Sequence, residues 1–422
     1  MRVFLVTLVA AGVILASVTG GATAKSVTRA REAQNSLTSA LSREMRPAGR
    51  SSSAYVVDLN TGQPLFAAAA GVGRLPASVE KLYTTSTALL RFGPNATLLT
   101  KVLGIGSLSS SGVWHGTLYL KGGGDPTFGS ASFDSSAYGA GATMQRLVAN
   151  LVRQSGIRSV SGRIVGDESY FDSLRGTSES NFQFDPYVEG SLSALAYNRG
   201  LISGGSAYLT HPALYGAQQF SAALRAAHVR VPTSVPIRTG VMPNGARTLA
   251  SVHSPRMATL IRLTNVPSDN FFAEMLLKGI GAKFGGAGTT AAGAAAVRTQ
   301  LASSFGIHPQ LVDGSGLSHD DFTSPRQVVT LLQRMATNQT FVSSLAIAGE
   351  TGTLQDEMNN TVAQGRCRGK TGTLTGVASL AGYCAANDGH TLAFAFLMNR
   401  VDSSAAHLLE QRMAVALAGY DG

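Results

Sequence analysis

Ser78 and Lys81 are the residues in this 422-residue chain whose types and spacing first suggest chemistry. They lie in Pro76-Ala77-Ser78-Val79-Glu80-Lys81, which reads as the mouth of a helix. A spacing of three puts both side chains on one face, one turn apart. A serine hydroxyl becomes a good nucleophile when a neighbour takes its proton. A lysine can take it once burial or nearby cations lower its pKa. At a helix N-terminus, backbone N–H groups also lie where a developing oxyanion would need them. Alone, Ser-x-x-Lys is equally the pattern of a solvated helix face.

Two later stretches add to it. Ser268-Asp269-Asn270 precedes an apolar helix and is composed of good N-capping residues. It could also supply a hydroxyl that shuttles a proton and an amide that holds a peptide. Lys370-Thr371-Gly372-Thr373 falls on a late strand. A lysine and two hydroxyls beside a glycine, which lets another backbone come close, suit a ligand carrying a carboxylate. Glu350-Thr351-Gly352-Thr353 repeats that frame with an acidic residue that would repel a carboxylate, so it reads as a structural loop.

The elements that must position these residues follow from periodicity and punctuation. Pro76 suits a helix start, and residues 77–90 run unbroken, with Leu82 and Leu89 on one apolar face. Helices are also expected over 25–45 (Leu37, Leu41 and Met45 four apart), 143–154, 214–227, 257–263, from Phe271 onward, 289–304 and 404–417. Ser324-Pro325 caps and opens a further one. Ala54 to Leu59 reads as a strand, turned at Asn60-Thr61-Gly62. The chain should end in a three-stranded meander over 364–373, 377–386 and 391–399, with Asn387-Asp388-Gly389 as the second turn. Between residues 104 and 245 the sequence is rich in glycine and serine with strand-like segments, a separate α+β module. Gly122-Gly123-Gly124-Asp125-Pro126 lacks the following Gly-Lys-Ser/Thr of a phosphate loop and reads as a tight turn.

The first 24 residues read as a cleavable export leader. A basic start at Arg2 is followed by an apolar run over 3–18 and a small-x-small site at Ala22-Thr23-Ala24. That run is short of the roughly 20 residues a membrane span needs. The formal charge of +10 would favour acidic wall polymers or anionic lipid heads, as well as solubility. No Lys/Arg block with interleaved aromatics points to nucleic acid. Export permits a disulfide. A hairpin turning near Leu374-Thr375-Gly376 would set Cys367 and Cys384, the only cysteines, directly opposite each other. The sequence leaves open whether they are bonded.

Ser-x-x-Lys at a helix start, Ser-Asp-Asn before a helix and Lys-Thr-Gly on a late strand, in that order, resemble the active-site set of penicillin-interacting serine enzymes. The chain is most similar to the class C low-molecular-mass penicillin-binding proteins, the D-alanyl-D-alanine carboxypeptidase/endopeptidase family. Val56 to Gly62, Gly122 to Pro126, Asp313-Gly314-Ser315-Gly316-Leu317-Ser318 and Lys370 to Gly376 all resemble that family's stretches. The resemblance implies an α+β fold with a five-stranded antiparallel sheet flanked by helices. A catalytic domain of 25–103 and 246–422 would be interrupted by the 104–245 insert, with a second family insert missing. It implies acylation of Ser78 by a peptidoglycan stem peptide and by β-lactams as covalent inhibitors. Lys81 would be the base and Ser268 the proton relay. Asn270, Lys370, Thr371, Gly372 and Thr373 would bind substrate, and the backbone N–H groups of Ser78 and Thr373 would form the oxyanion hole. No metal or cofactor is expected. The protein would work outside the bacterial cytoplasm, with peripheral wall or membrane association possible.

Three other readings compete. A β-lactamase would need a carboxylate-activated deacylating water, and no Glu-x-x-Leu-Asn stretch offers one. A non-catalytic wall-binding scaffold would tolerate a damaged motif, yet all three are intact. A zinc peptidase would need paired histidines, and no His-Glu-x-x-His occurs. His319-Asp320-Asp321 reads as a polar loop.

Overall fold

The computed structural model describes the backbone of residues 19–202 and 207–422, with side chains from residue 28 onward. The expected leader therefore lies outside the described residues, except for 19–24. Those continue the first helix, which spans Thr19–Ala48 rather than 25–45.

The strands in chain order are β1 (Ser52–Asp58), β2 (Pro64–Ala68), β3 (Leu99–Leu108), β4 (Val113–Lys121), β5 (Ser159–Asp167), β6 (Ile237–Thr239), β7 (Arg247–His253), β8 (Ala346–Ile347), β9 (Cys367–Leu374), β10 (Val377–Ala385) and β11 (Thr391–Asn399). They make two sheets. The first has the order β2-β1-β11-β10-β9-β8, with every pairing antiparallel. The sheet was expected to have five strands and has six, because the two-residue β8 adds an edge too short for any pattern to reveal.

Both faces of this sheet are covered. On β11 Phe394, Phe396 and Met398 point to one face, against Leu37, Leu41, Leu409, Met413 and Leu417 of the first and last helices. Ala393, Ala395 and Leu397 point to the other, against Leu82, Phe272, Val329 and Leu332 of the central helices. A strand covered on both faces reads as an unbroken apolar run, here Leu392 to Met398. Burial of side chains at roughly 25 cal/mol per Å² of apolar surface is what holds the three layers together.

The second sheet has the order β6-β5-β4-β3-β7, with β4–β5 and β5–β6 parallel and the others antiparallel. A parallel pair needs a crossover, and the Met144–Ser155 helix lies within the β4–β5 connection. Trp114, Leu118, Ile164, Leu147 and Phe220 pack into a core of its own. The sheet begins at Leu99 and ends at His253, so it extends beyond the expected insert of 104–245 on both sides.

The hairpin of β9 and β10 pairs Leu374 with Val377 and Cys367 with Cys384. The two cysteines are bonded, their Cα atoms 4.1 Å apart. They are buried between the sheet and the last helix. Closing a loop of this size restricts the unfolded chain by about 3 kcal/mol. Replacing both cysteines with alanine is expected to lower unfolding free energy by about that much, read as an earlier denaturant midpoint. An unchanged midpoint would show that the bond adds nothing.

Candidate active site

Ser78 opens the buried helical segment that leads into the first sheet's covering layer. Ala77–Glu80 form a 3₁₀ turn and Lys81–Phe92 the α-helix that continues it. Ser78 is half-buried, whereas Lys81 is fully buried. The Lys81 ammonium lies 2.7 Å from Ser78 Oγ, 2.5 Å from Asn270 Oδ1 and 2.7 Å from the Ser315 carbonyl. These partners use its three N–H donors in full. Burial is the largest influence on this lysine and lowers its pKa to about 8, against the pull of Asp313, Glu274, Asp269 and Glu80. Lys81 is thereby a buried amine that gives up its proton far more easily than a free lysine, hydrogen-bonded to a serine.

The second motif is fixed from two directions. Asp269 caps the Asn270–Phe284 helix by accepting the Phe272 N–H at 2.9 Å. It also receives Arg199 at 2.5 and 3.1 Å through the two terminal guanidinium nitrogens. Arg199 belongs to the stretch bearing the second sheet and stacks 4.8 Å over the Phe271 ring. Asn270 donates its Nδ2–H to the Tyr187 carbonyl, which fixes its Oδ1 toward Lys81. Ser268 is half-buried with φ +65°, a left-handed conformation that costs a serine on the order of 1 kcal/mol. Ala77, beside Ser78, is likewise left-handed at +47°.

The third motif approaches from β9. A Cβ on Gly372 would come within 2.3 Å of Ser379 Oγ and 2.8 Å of the Pro76 carbonyl and the Ser78 N. Only glycine lets the strand lie this close to the helical turn that carries Ser78. Ser379 Oγ also donates to the Pro76 carbonyl at 2.6 Å, tying β10 to the same point. Lys370 is fully buried, and burial together with the charge of Lys81 pushes its pKa well down. Thr371 Oγ1 donates to Thr353 Oγ1 at 2.8 Å. Thr353 itself donates its N–H to the Val266 carbonyl, just before the second motif. The Glu350 to Thr353 loop, a mimic of the third motif in sequence, thus braces the second and third motifs together.

An open cleft of about 590 Å³ joins Ser78, Asn270 and Thr373 on one side with Glu179, Asp185, Tyr187 and His319 on the other. Ser78, Lys81 and Asn270 are connected directly, and Thr373 shares their cleft. Lys370 is close enough to Lys81 to feel its charge, and Ser268 is two residues from Asn270. Sequence reasoning did not foresee the Ser315 carbonyl, although Asp313 to Ser318 stood out as a stretch. Asp313 accepts the N–H groups of Ser315, Gly316 and Ser318 and so shapes the loop that presents that carbonyl. His319-Asp320-Asp321 is more than a polar loop. His319 faces the cleft, but Asp321 is buried beside Glu80 and Asp313. Burial raises the pKa of all three carboxyls. Asp313 already spends both oxygens on backbone N–H groups and Asp321 Oδ1 on that of Val312. That fits carboxyls sharing protons better than ligands around a cation.

A serine and a buried lysine at a helix mouth, crossed by a Ser-x-Asn turn and a Lys-Thr-Gly strand, define a penicillin-interacting serine enzyme. Residues 33–188 and 185–420 match the D-Ala-D-Ala carboxypeptidase 3 (S13) family, and the chain belongs to that family. It is a serine-type D-Ala-D-Ala carboxypeptidase of the class C low-molecular-mass penicillin-binding kind. It is 28% identical to a D-alanyl-D-alanine carboxypeptidase from an Actinomadura species, covering 89% of this chain and 82% of that protein. Against carboxypeptidase DacB of Mycolicibacterium smegmatis it is 30% identical, over 85% and 79%. In fold it is similar to penicillin-binding protein 4 of Haemophilus influenzae, with a TM-score of 0.74 and 19% identity. That likeness covers 88% of this chain and 97% of the other.

Proposed function

We propose that Ser78 attacks the carbonyl of the penultimate D-alanine in a peptidoglycan stem peptide. The observation that carries this is the 2.7 Å hydrogen bond between Ser78 Oγ and a fully buried Lys81. Lys81 accepts the hydroxyl proton as the Oγ–carbon bond forms. The carbon–nitrogen bond then breaks, and the leaving amine takes a proton by way of Ser268. Water hydrolyses the resulting ester and regenerates the hydroxyl. Asn270 holds the acyl side, while the backbone N–H groups of Ser78 and Thr373 face the oxyanion. Lys370 and Thr373 receive the terminal carboxylate, while Thr371, whose hydroxyl donates to Thr353 Oγ1, shapes the strand that carries them. Burial and the charge of Lys81 act on Lys370 with no carboxylate to offset them, and the substrate's carboxylate would supply one. Cutting of cross-links is the second activity of the same site, since the cleft is open beyond Ser78.

An apolar amino-terminal run supports export to the cell-wall space, and a net positive charge supports association with acidic wall polymers or anionic lipid heads. No helix among the described residues is long and apolar enough to cross a membrane.

Intact mass after incubation with benzylpenicillin tests the reading, beside Ser78→Ala. The expected result is a gain of one drug molecule in the parent protein and none in the variant. An unmodified parent with the drug intact would sink the acyl-enzyme. An unmodified parent with the drug hydrolysed would favour a β-lactamase.

A further inference from the structure

Thr373 has a second neighbour that takes no part in the acyl transfer. Its Oγ1 lies 2.8 Å from Nε2 of His407, on the Ser403–Ala418 helix. Nδ1 of that imidazole lies 2.8 Å from Glu410 Oε2, one turn along the same helix. The Glu410 side chain is 2% exposed, and its other oxygen has no partner among the described residues. A cavity of about 260 Å³ behind β9 is lined by Thr371, Thr373, Glu357, His407 and Glu410. Thr373 therefore forms a wall shared by this cavity and the Ser78 cleft.

A threonine hydroxyl has one hydrogen to give. When the His407–Glu410 pair holds a proton, Nε2 carries a hydrogen. This is so whether the pair is imidazolium with carboxylate or imidazole with carboxyl, because Nδ1 is engaged with Glu410 in both. Nε2–H then donates to Thr373, whose own hydrogen is free to point into the cleft. When the pair loses that proton, Nδ1–H still donates to the Glu410 carboxylate and Nε2 becomes an acceptor. Thr373 must then donate to it and presents only lone pairs to the cleft. We propose that His407 is a specificity-determining positioning residue, whose protonation decides whether Thr373 can donate to a substrate carboxylate.

This inference rests on the reading that Thr373 receives that carboxylate. The charges facing the imidazole favour retention of the proton. Glu410 on its own helix raises its pKa through their hydrogen bond, and Glu357 from the preceding loop adds to that. Burial pushes Glu410 itself up to about 7. The facing strand contributes only the neutral Thr371 and Thr373, and Lys370 is turned to the nucleophile side.

The test compares kcat/KM for a peptide ending in D-Ala-D-Ala with its C-terminal amide, in one enzyme, from pH 6 to 9. Their ratio cancels whatever Lys81 contributes at each pH. In the parent protein the preference for the carboxylate is expected to fall about tenfold across that range, the worth of one hydrogen bond to a charged group. His407→Gln should flatten the ratio, since its amide has no titration. Glu410→Gln should move the fall to lower pH, since the imidazole loses its anion. A ratio that varies alike in the parent and in His407→Gln would overturn the inference. So would loss of both substrates in equal proportion, which marks a merely structural histidine. No turnover of either peptide by the parent protein, together with no penicillin adduct, would instead overturn the peptidase reading itself, and this inference with it.

Discussion

Replacing Lys81 with methionine or with arginine is expected to slow acylation of Ser78 by about 10⁴-fold, the upper range for loss of a general base. Methionine removes the amine but keeps most of the volume. Arginine keeps a positive charge and cannot give up a proton in a protein. Equal loss in both variants would assign Lys81 to proton transfer, whereas an active Lys81→Arg would assign it to charge alone. The pH dependence gives a second handle on the same group. Burial holds the pKa of Lys81 at about 8. The proton-accepting form thus becomes scarcer below that pH by about tenfold per unit. The acylation rate should rise with pH up to about 8 and level off above it, measured with penicillin under single-turnover conditions. A flat profile from pH 6 to 9 would mean that something else takes the serine proton.

Much of this architecture is legible in the sequence because it is local. β9, β10 and β11 are set by an apolar period and two turns, and even the register follows once the turn is placed. Ser324 and Asp269 announce their helices as caps, and their side chains accept N–H groups in the structure. The three motifs are readable because each has its own short frame. What the sequence hides are pairings between distant residues. Nothing near Asp269 foretells an arginine 70 residues earlier, and nothing near Thr373 foretells a histidine on the last helix. Asp321 looks like a solvated charge because burial is a property of what packs over it. The left-handed backbone at Ser268 is equally unmarked, since serine gives no such signal. These hidden contacts set the pKa, the orientation and the spacing of groups whose identities were plain.

Arg199→Met is the substitution expected to do most damage among residues that touch no reacting atom. Arg199 and Asp269 are 10% and 12% exposed at their side chains and form a two-pronged ion pair. Removing one partner of such a buried pair leaves an uncompensated charge and costs about 3–5 kcal/mol. The consequence need not stop at stability. Asp269 caps the helix that begins at Asn270, and Asn270 Oδ1 receives Lys81. A carboxylate that turns away to find water would draw that amide with it. A displacement of about 1 Å at a positioning group can cost about 100-fold in rate. We expect Arg199→Met to lower the denaturant midpoint and to slow penicillin acylation by about that factor. Adding Asp269→Asn should recover much of the stability, because the amide needs no counter-charge yet can still cap. An Arg199→Met protein with parental stability and rate would show the stretch bearing the second sheet to be an appendage. Loss of both would show that it holds the second motif in place, and that the two sheets work as one enzyme.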